Sequence, residues 1–166
     1  MSTTAFVIDT SYLLEFYRVP GFSTDAAVME VRRRFKAAFS DGSRLFVPVG
    51  AVFEFANHVA DLTDGGERKR LADDLYKVVA SSILDGEPWI IVPGPKYDSE
   101  FLSQLCSAFS TEFVQQRIGL TDTHIIDQAR RLKQKYSGMP YRVHIWTKDH
   151  RLKAYEPDRE NDPFLG

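Results

Sequence analysis

The chain has 166 residues, a formal net charge of −2 at pH 7, a hydrophobic fraction of 43% and an aromatic fraction of 13%. This length suits one domain with a sizeable core, and the composition argues against an intrinsically disordered protein. The near-neutral charge disfavours a protein that binds nucleic acid passively through a broadly basic surface.

The first half of the chain alternates between short apolar runs, typical of buried strands, and longer segments with apolar residues at helical spacing. Proline and glycine mark the boundaries, as at Pro20-Gly21 and Gly65-Gly66. In chain order, we predict a strand at 5–8, a helical segment opened by Thr10 and Ser11, a helix at 25–40, a strand at 45–47, helices at 49–61 and 67–84, and a strand at 89–92.

The second half of the chain predicts two consecutive helices, at about 98–117 and 121–136, interrupted by Gly119 rather than separated by a strand. A strand at 143–146 and a short helix at 149–155 follow. The segment 156–166 is polar and contains two prolines. We therefore expect a single domain over residues 1–155 and a loosely ordered C-terminal tail over 156–166.

Strands separated by helices predict a parallel sheet with helices on both faces. We expect an α/β fold, a three-layer α/β/α sandwich around a central, mainly parallel sheet of four to five strands. In such sheets, ligands bind outside the carboxyl ends of the strands. Residues that directly follow the strands are therefore the first candidates for a functional site.

The sequence also carries signals about the protein's environment. No stretch is long and apolar enough to cross a membrane, and the N-terminus lacks the pattern of a secretory signal. The single cysteine, Cys106, excludes an internal disulfide, and its apolar neighbours predict a buried thiol. We therefore expect a protein of the reducing cytoplasm.

Four acidic residues stand at or near the ends of the predicted elements. Asp9 and Asp149 follow the first and last strands, Glu54 lies in the helix after the second strand, and Asp122 opens a later helix. Asp9 and Asp149 suit helix N-caps, and Glu54 suits a solvated surface. Asp122 is harder to explain by structure alone, because it shares a helix face with apolar residues and a buried unpaired carboxylate is costly.

Together these acids predict a divalent-metal site. Hard oxygen ligands without cysteine or paired histidines favour Mg²⁺ or Mn²⁺, and metals held by carboxylates catalyse phosphate chemistry. We predict that the four acids are catalytic and hold one or two ions, and that nearby hydroxyls orient them: Thr10, Ser11 and Thr147. Lys148 and Arg151, which are close to Asp149 in sequence, are the predicted phosphate contacts.

Four segments resemble, in the same order, the motif blocks of PIN-domain nucleases: FVIDTSYLL at 6–14, VPVGAVFE at 47–54, LTD at 120–122 and WTKD at 146–149. The resemblance covers most of the chain. It implies a PIN-like fold and an endoribonuclease that depends on Mg²⁺ or Mn²⁺, with Asp9, Glu54, Asp122 and Asp149 as its metal site. The best-known bacterial members are VapC-type toxins of toxin–antitoxin modules, which would imply an RNA substrate, a small antitoxin partner and a homodimer.

The chain departs from the compact toxins in its length, with additional helix at 67–84, and in having His150 and Arg151 after Asp149. Neither departure removes a predicted metal ligand. An RNA-processing nuclease outside a toxin–antitoxin module and a catalytically inactive PIN-like binding module are the alternatives. A phosphoacceptor signalling domain or an aspartate phosphatase fits less well, because both require a second acid next to or two residues after Asp9, where Thr10 and Ser11 stand.

Overall fold

A computed structural model describes residues 2–92 and 98–166 of the chain. Within these residues the strands are β1 (Thr3–Ile8), β2 (Arg44–Pro48), β3 (Ile90–Val92) and β4 (Tyr141–Trp146). The α-helices are α1 (Thr10–Phe16), α2 (Asp25–Asp41), α3 (Val49–Ala60), α4 (Gly65–Asp85), α5 (Ser99–Ala108), α6 (Leu120–Lys135) and α7 (His150–Lys153). None of these helices has both the length and the hydrophobicity needed to span a bilayer.

The four strands form one fully parallel sheet in the order β3-β2-β1-β4. The chain runs outward from β1 through β2 to β3 and then returns to the other side of β1 as β4. This reversal puts the switch point of the sheet between β1 and β4, which is where open α/β sheets bind ligands. Asp9 follows β1 directly and Thr147 follows β4, so both lie at the switch point.

Helices cover both faces of the sheet, and each face has its own core. On one face, Ile8 and Trp146 pack with buried residues of α1, α2, α3 and α4. On the other face, Val7 and Ile145 pack with buried residues of α6. Successive residues of a strand point to opposite faces, which explains why the apolar run that ends β1 is buried on both sides. The predicted three-layer α/β/α fold is confirmed.

The helix predicted at 98–117 is shorter and less regular in the structure. α5 ends at Ala108, and a π-helical turn (Phe109–Phe113) and a 3₁₀ turn (Val114–Gln116) follow it. These turns carry the buried Phe113 into the core beside α6. Because Phe101 is the buried residue of α5, its other face meets solvent, and Cys106 is exposed rather than buried as predicted.

The C-terminal segment 156–166 has no helix or strand, yet it is tied to β4 rather than loosely ordered as its composition predicted. The Asp158 N–H donates to the Val143 carbonyl at 3.1 Å, and the Asp158 carboxylate accepts from the Val143 N–H at 2.8 Å. The Tyr12 hydroxyl donates to the Phe164 carbonyl at 2.9 Å. β4 is an edge strand, and its unpaired backbone groups explain why the tail binds there.

Candidate active site

Asp9 is almost fully buried at the carboxyl end of β1, with 6% of its surface exposed. It is the N-cap of α1, and two hydroxyls also bind its carboxylate. Ser11 Oγ donates to Asp9 Oδ2 at 2.7 Å, and Thr147 Oγ1 donates to the same oxygen at 2.8 Å. Burial raises the pKa of Asp9, and these hydrogen bonds offset part of the rise. Ser11 and Thr147 are thus in direct contact with the acid that they were predicted to orient.

Glu54 extends from α3 toward the start of α1. Its Oε2 accepts a hydrogen bond of 3.0 Å from Thr10 Oγ1, and Thr10 itself is buried. The Glu54 carboxylate is therefore held against α1, unlike that of a freely solvated surface glutamate. Two consecutive hydroxyls of α1, on Thr10 and Ser11, each bind one of the acids.

Asp122 lies half-buried in the first turn of α6. The N-cap of this helix is Gly119, which supplies no side-chain cap. Burial and then the negative charge of Asp9 raise the pKa of Asp122 to about 6. A hydrogen bond from the Gly119 backbone opposes the rise, and the charges of the other two acids add to it. Asp122 therefore responds to the charges of all three other predicted site acids.

Asp149 is the N-cap of α7 and is paired with Arg151. The Arg151 N–H donates to Oδ1 at 2.7 Å, and its guanidinium lies 3.3 Å from Oδ1 through Nε and 3.1 Å from Oδ2 through Nη2. Burial alone would raise the pKa of Asp149, but the hydrogen bonds and charge of Arg151 lower it below its ordinary value. Arg151 therefore lies next to the predicted site, and its guanidinium contacts the carboxylate of Asp149.

Lys148, the other predicted phosphate contact, points inward. Its ammonium forms an ion pair with Glu15, a fully buried residue of α1. Sequence reasoning did not identify Glu15, although an acid inside the apolar run 12–16 was a signal that it could be buried. The two residues are 133 positions apart, so proximity in the sequence could not reveal the pair.

Asp122 is close enough to Asp9, Glu54 and Asp149 for their charges to raise its pKa, and Asp9 and Asp149 follow the carboxyl ends of β1 and β4. As they stand, no three or more acidic, histidine or cysteine side chains within residues 2–92 and 98–166 are arranged so as to hold a metal ion. Three of the four carboxylates already accept hydrogen bonds from other side chains of the protein: Asp9 from Ser11 and Thr147, Glu54 from Thr10, and Asp149 from Arg151.

No protein-family model matches the chain, and no curated protein matches it.

An apolar groove of about 660 Å³ lies between α3, α5 and the start of α6. Its apolar walls are formed by Val49, Phe53, Phe101, Leu102, Leu105 and Leu120. None of the four acids is among its described lining residues, although Glu54 and Asp122 are on the same helices. The groove is therefore separate from the four predicted site acids.

Gly50 allows close contact between the helices that carry Glu54 and Asp122. A Cβ at this position would lie 3.0 Å from Cδ2 of the buried His124 ring in α6. Gly50→Ala is therefore expected to push α3 away from α6 and to lower the free energy of unfolding by about 1–3 kcal/mol. Urea unfolding measures the change in stability. Gly65→Ala, whose Cβ would have its nearest neighbour at 3.6 Å, is the control and should be neutral or slightly stabilising.

Proposed function

We propose that the protein is a divalent-metal-dependent endoribonuclease of the PIN-domain type, which hydrolyses phosphodiester bonds of RNA in the cytoplasm. The supporting observation is that four acids from separate parts of the chain lie near the switch point of a parallel sheet. The negative charges of the other three acids contribute to the raised pKa of Asp122. The four motif blocks that resemble PIN-domain nucleases contain these same acids.

The donor set fits Mg²⁺ or Mn²⁺. All four acids offer hard carboxylate oxygens. Burial and the repulsion between Asp122 and the other three acids raise the pKa of Asp122, and a divalent cation among the acids would relieve that repulsion. When bound, such an ion activates water as a nucleophile and stabilises negative charge on the phosphate. The contribution of the chain itself includes orientation, because Ser11 and Thr147 hold the carboxylate of Asp9.

Arg151 is the proposed contact for a phosphate of the RNA. Its side chain is 54% exposed and lies beside Asp149, so it can reach a substrate bound across the acids. Arginine suits this role because its guanidinium pairs with phosphate oxygens in a fixed geometry. Lys148, which pairs with Glu15, is not part of this proposed contact.

The proposed activity is tested with single-stranded RNA labelled at its 5′ end and incubated with the purified protein in Mg²⁺, Mn²⁺ or EDTA. We expect cleavage that requires the metal and is lost in Asp9→Asn. Cleavage that survived this substitution would point to another site or to a contaminating nuclease. RNA binding without cleavage in either metal would support the catalytically inactive binding module instead.

A narrower proposal, supported by the resemblance alone, is that the nuclease is a VapC-type toxin. We then expect a neighbouring gene to encode a small antitoxin that co-purifies with the protein and inhibits RNA cleavage. Light scattering should give twice the mass of one chain, as the implied homodimer requires. RNA cleavage without any inhibitory partner would favour an RNA-processing nuclease outside a toxin–antitoxin module.

A further inference from the structure

Glu15 is an acid of α1 with no exposed surface. Its carboxylate is bound from two other parts of the chain: by the Lys148 ammonium, and by the Thr24 backbone N–H at 3.1 Å. Removing the cation would leave an uncompensated buried charge, which is strongly unfavourable. The side chain of Lys148 is therefore committed to this contact, although 27% of it remains exposed.

The backbone around Lys148 is bound to Ser11 and Asp9 by separate contacts. The Lys148 N–H donates to Ser11 Oγ at 3.0 Å, and Ser11 donates in turn to Asp9. Thr147 also donates to Asp9, and the Asp149 N–H donates to Thr147 Oγ1 at 3.0 Å. The turn 147–149, between β4 and α7, is therefore attached to α1 through both its backbone and the Lys148 side chain.

We propose that the Glu15–Lys148 ion pair is a positioning device that fixes the turn 147–149 against α1, and thereby fixes Asp149 relative to Asp9. The inference rests on the proposed metal-dependent activity. Lys148 acts on the acids through the backbone of the turn, and it does not contact the substrate. Groups that orient metal-binding carboxylates in this way commonly change metal affinity or activity by tenfold or more when they are removed.

A purely stabilising role does not account for the choice of these residues. Apolar side chains of similar volume often stabilise a buried position as well as an ion pair does. An ion pair adds a defined direction, because the ammonium must point at the carboxylate. Since Glu15 is also bound to the N-cap residue of α2, the pair fixes the turn to two helices at once.

The test compares Lys148→Met, which keeps the length of the side chain and removes its charge, with Arg151→Ala as the matched variant of a proposed RNA contact. Calorimetry measures the affinity for Mn²⁺, and RNA cleavage gives kcat and KM across a series of salt concentrations. We expect Lys148→Met to weaken Mn²⁺ binding by about tenfold and to lower kcat, with KM and its salt dependence unchanged. Arg151→Ala should raise KM. The slope of log KM against log salt concentration should also fall by about one, as expected when one phosphate contact is lost.

Lys148→Arg, which can still pair with Glu15, should recover part of the Mn²⁺ affinity. Glu15→Gln, which keeps the acceptor for the Thr24 N–H, should reproduce the loss and serves if Lys148→Met does not fold. Unchanged Mn²⁺ affinity in these variants, or a Lys148→Met protein that behaves like Arg151→Ala, would overturn the positioning role. A wild-type protein that binds no Mn²⁺ would instead contradict the proposed function, and the inference with it.

Discussion

Replacing Asp122 by asparagine is expected to stabilise the metal-free protein at pH 8 while abolishing Mn²⁺ binding and RNA cleavage. In the folded protein, burial and the charge of Asp9 raise the pKa of Asp122 from 3.8 to about 6. Two pKa units correspond to roughly 3 kcal/mol, and partial exposure of the group reduces the expected gain to about 1–2 kcal/mol. The amide removes the cost of the charge and also removes a proposed metal ligand.

This stabilisation should depend on pH with a defined sign. Below pH 3.8 the carboxyl group of Asp122 is protonated in both the folded and the unfolded state, so it carries no charge penalty. As the pH rises to about 6, the unfolded state ionises first, and the wild type loses stability that the asparagine variant keeps. The difference in melting temperature between Asp122→Asn and the wild type should therefore be small near pH 3.8 and should reach its full size above about pH 6.

Thermal melting by circular dichroism at several pH values, with and without Mn²⁺, measures these effects. Asp127→Asn is the matched control, because Asp127 is on the same helix and pairs with Arg131 at 2.7 Å. The control should not be stabilised at any pH. Mn²⁺ should raise the melting temperature of the wild type and of the control, but not that of Asp122→Asn. An Asp122→Asn protein that melts no higher than the wild type at pH 8 would contradict the proposed repulsion.

Glu160→Ala is expected to lower the free energy of unfolding by about 1–3 kcal/mol, although the residue is in the C-terminal tail. The Glu160 carboxylate accepts from Lys153 Nζ at 2.6 Å, from Trp146 Nε1 at 3.2 Å and from Arg34 Nη1 at 3.3 Å. The Lys153 and Arg34 side chains are each only 10% exposed, so their charges have little access to water. Removing the shared acid leaves both cations less well compensated in the interior.

Urea unfolding of Glu160→Ala, monitored by Trp fluorescence and by circular dichroism, measures this loss. Asp162→Ala is the matched control, because Asp162 contacts the same Arg34 at 3.7 Å but has a side chain that is 95% exposed. The control should change stability by less than about 0.5 kcal/mol. Equal midpoints for Glu160→Ala and the wild type would show that Glu160 does not contribute to the stability of the fold.

The structure confirms the sequence prediction where local patterns carry the information. The apolar run before Asp9 and the run before Thr147 are parallel strands, as their composition and the helices between them indicated, and the structure shows that the two strands are neighbours. Thr10 binds Glu54 because the two residues lie beyond the ends of β1 and β2, which neighbour each other in the sheet. The end of α5 was predicted less well. The π-helical turn that follows this helix places Phe113 in the core, and no local sequence pattern marks it.

The sequence by itself determined the order of the elements, the parallel sheet and the placement of Asp9 and Asp149 after its first and last strands, because these features depend on spacing along the chain. Only the tertiary structure decided which partner each charged side chain has. Lys148 pairs with the buried Glu15 and not with solvent, and the polar tail satisfies the edge of β4. Both outcomes depend on which distant groups meet in the interior, where an unpaired charge or backbone group is costly.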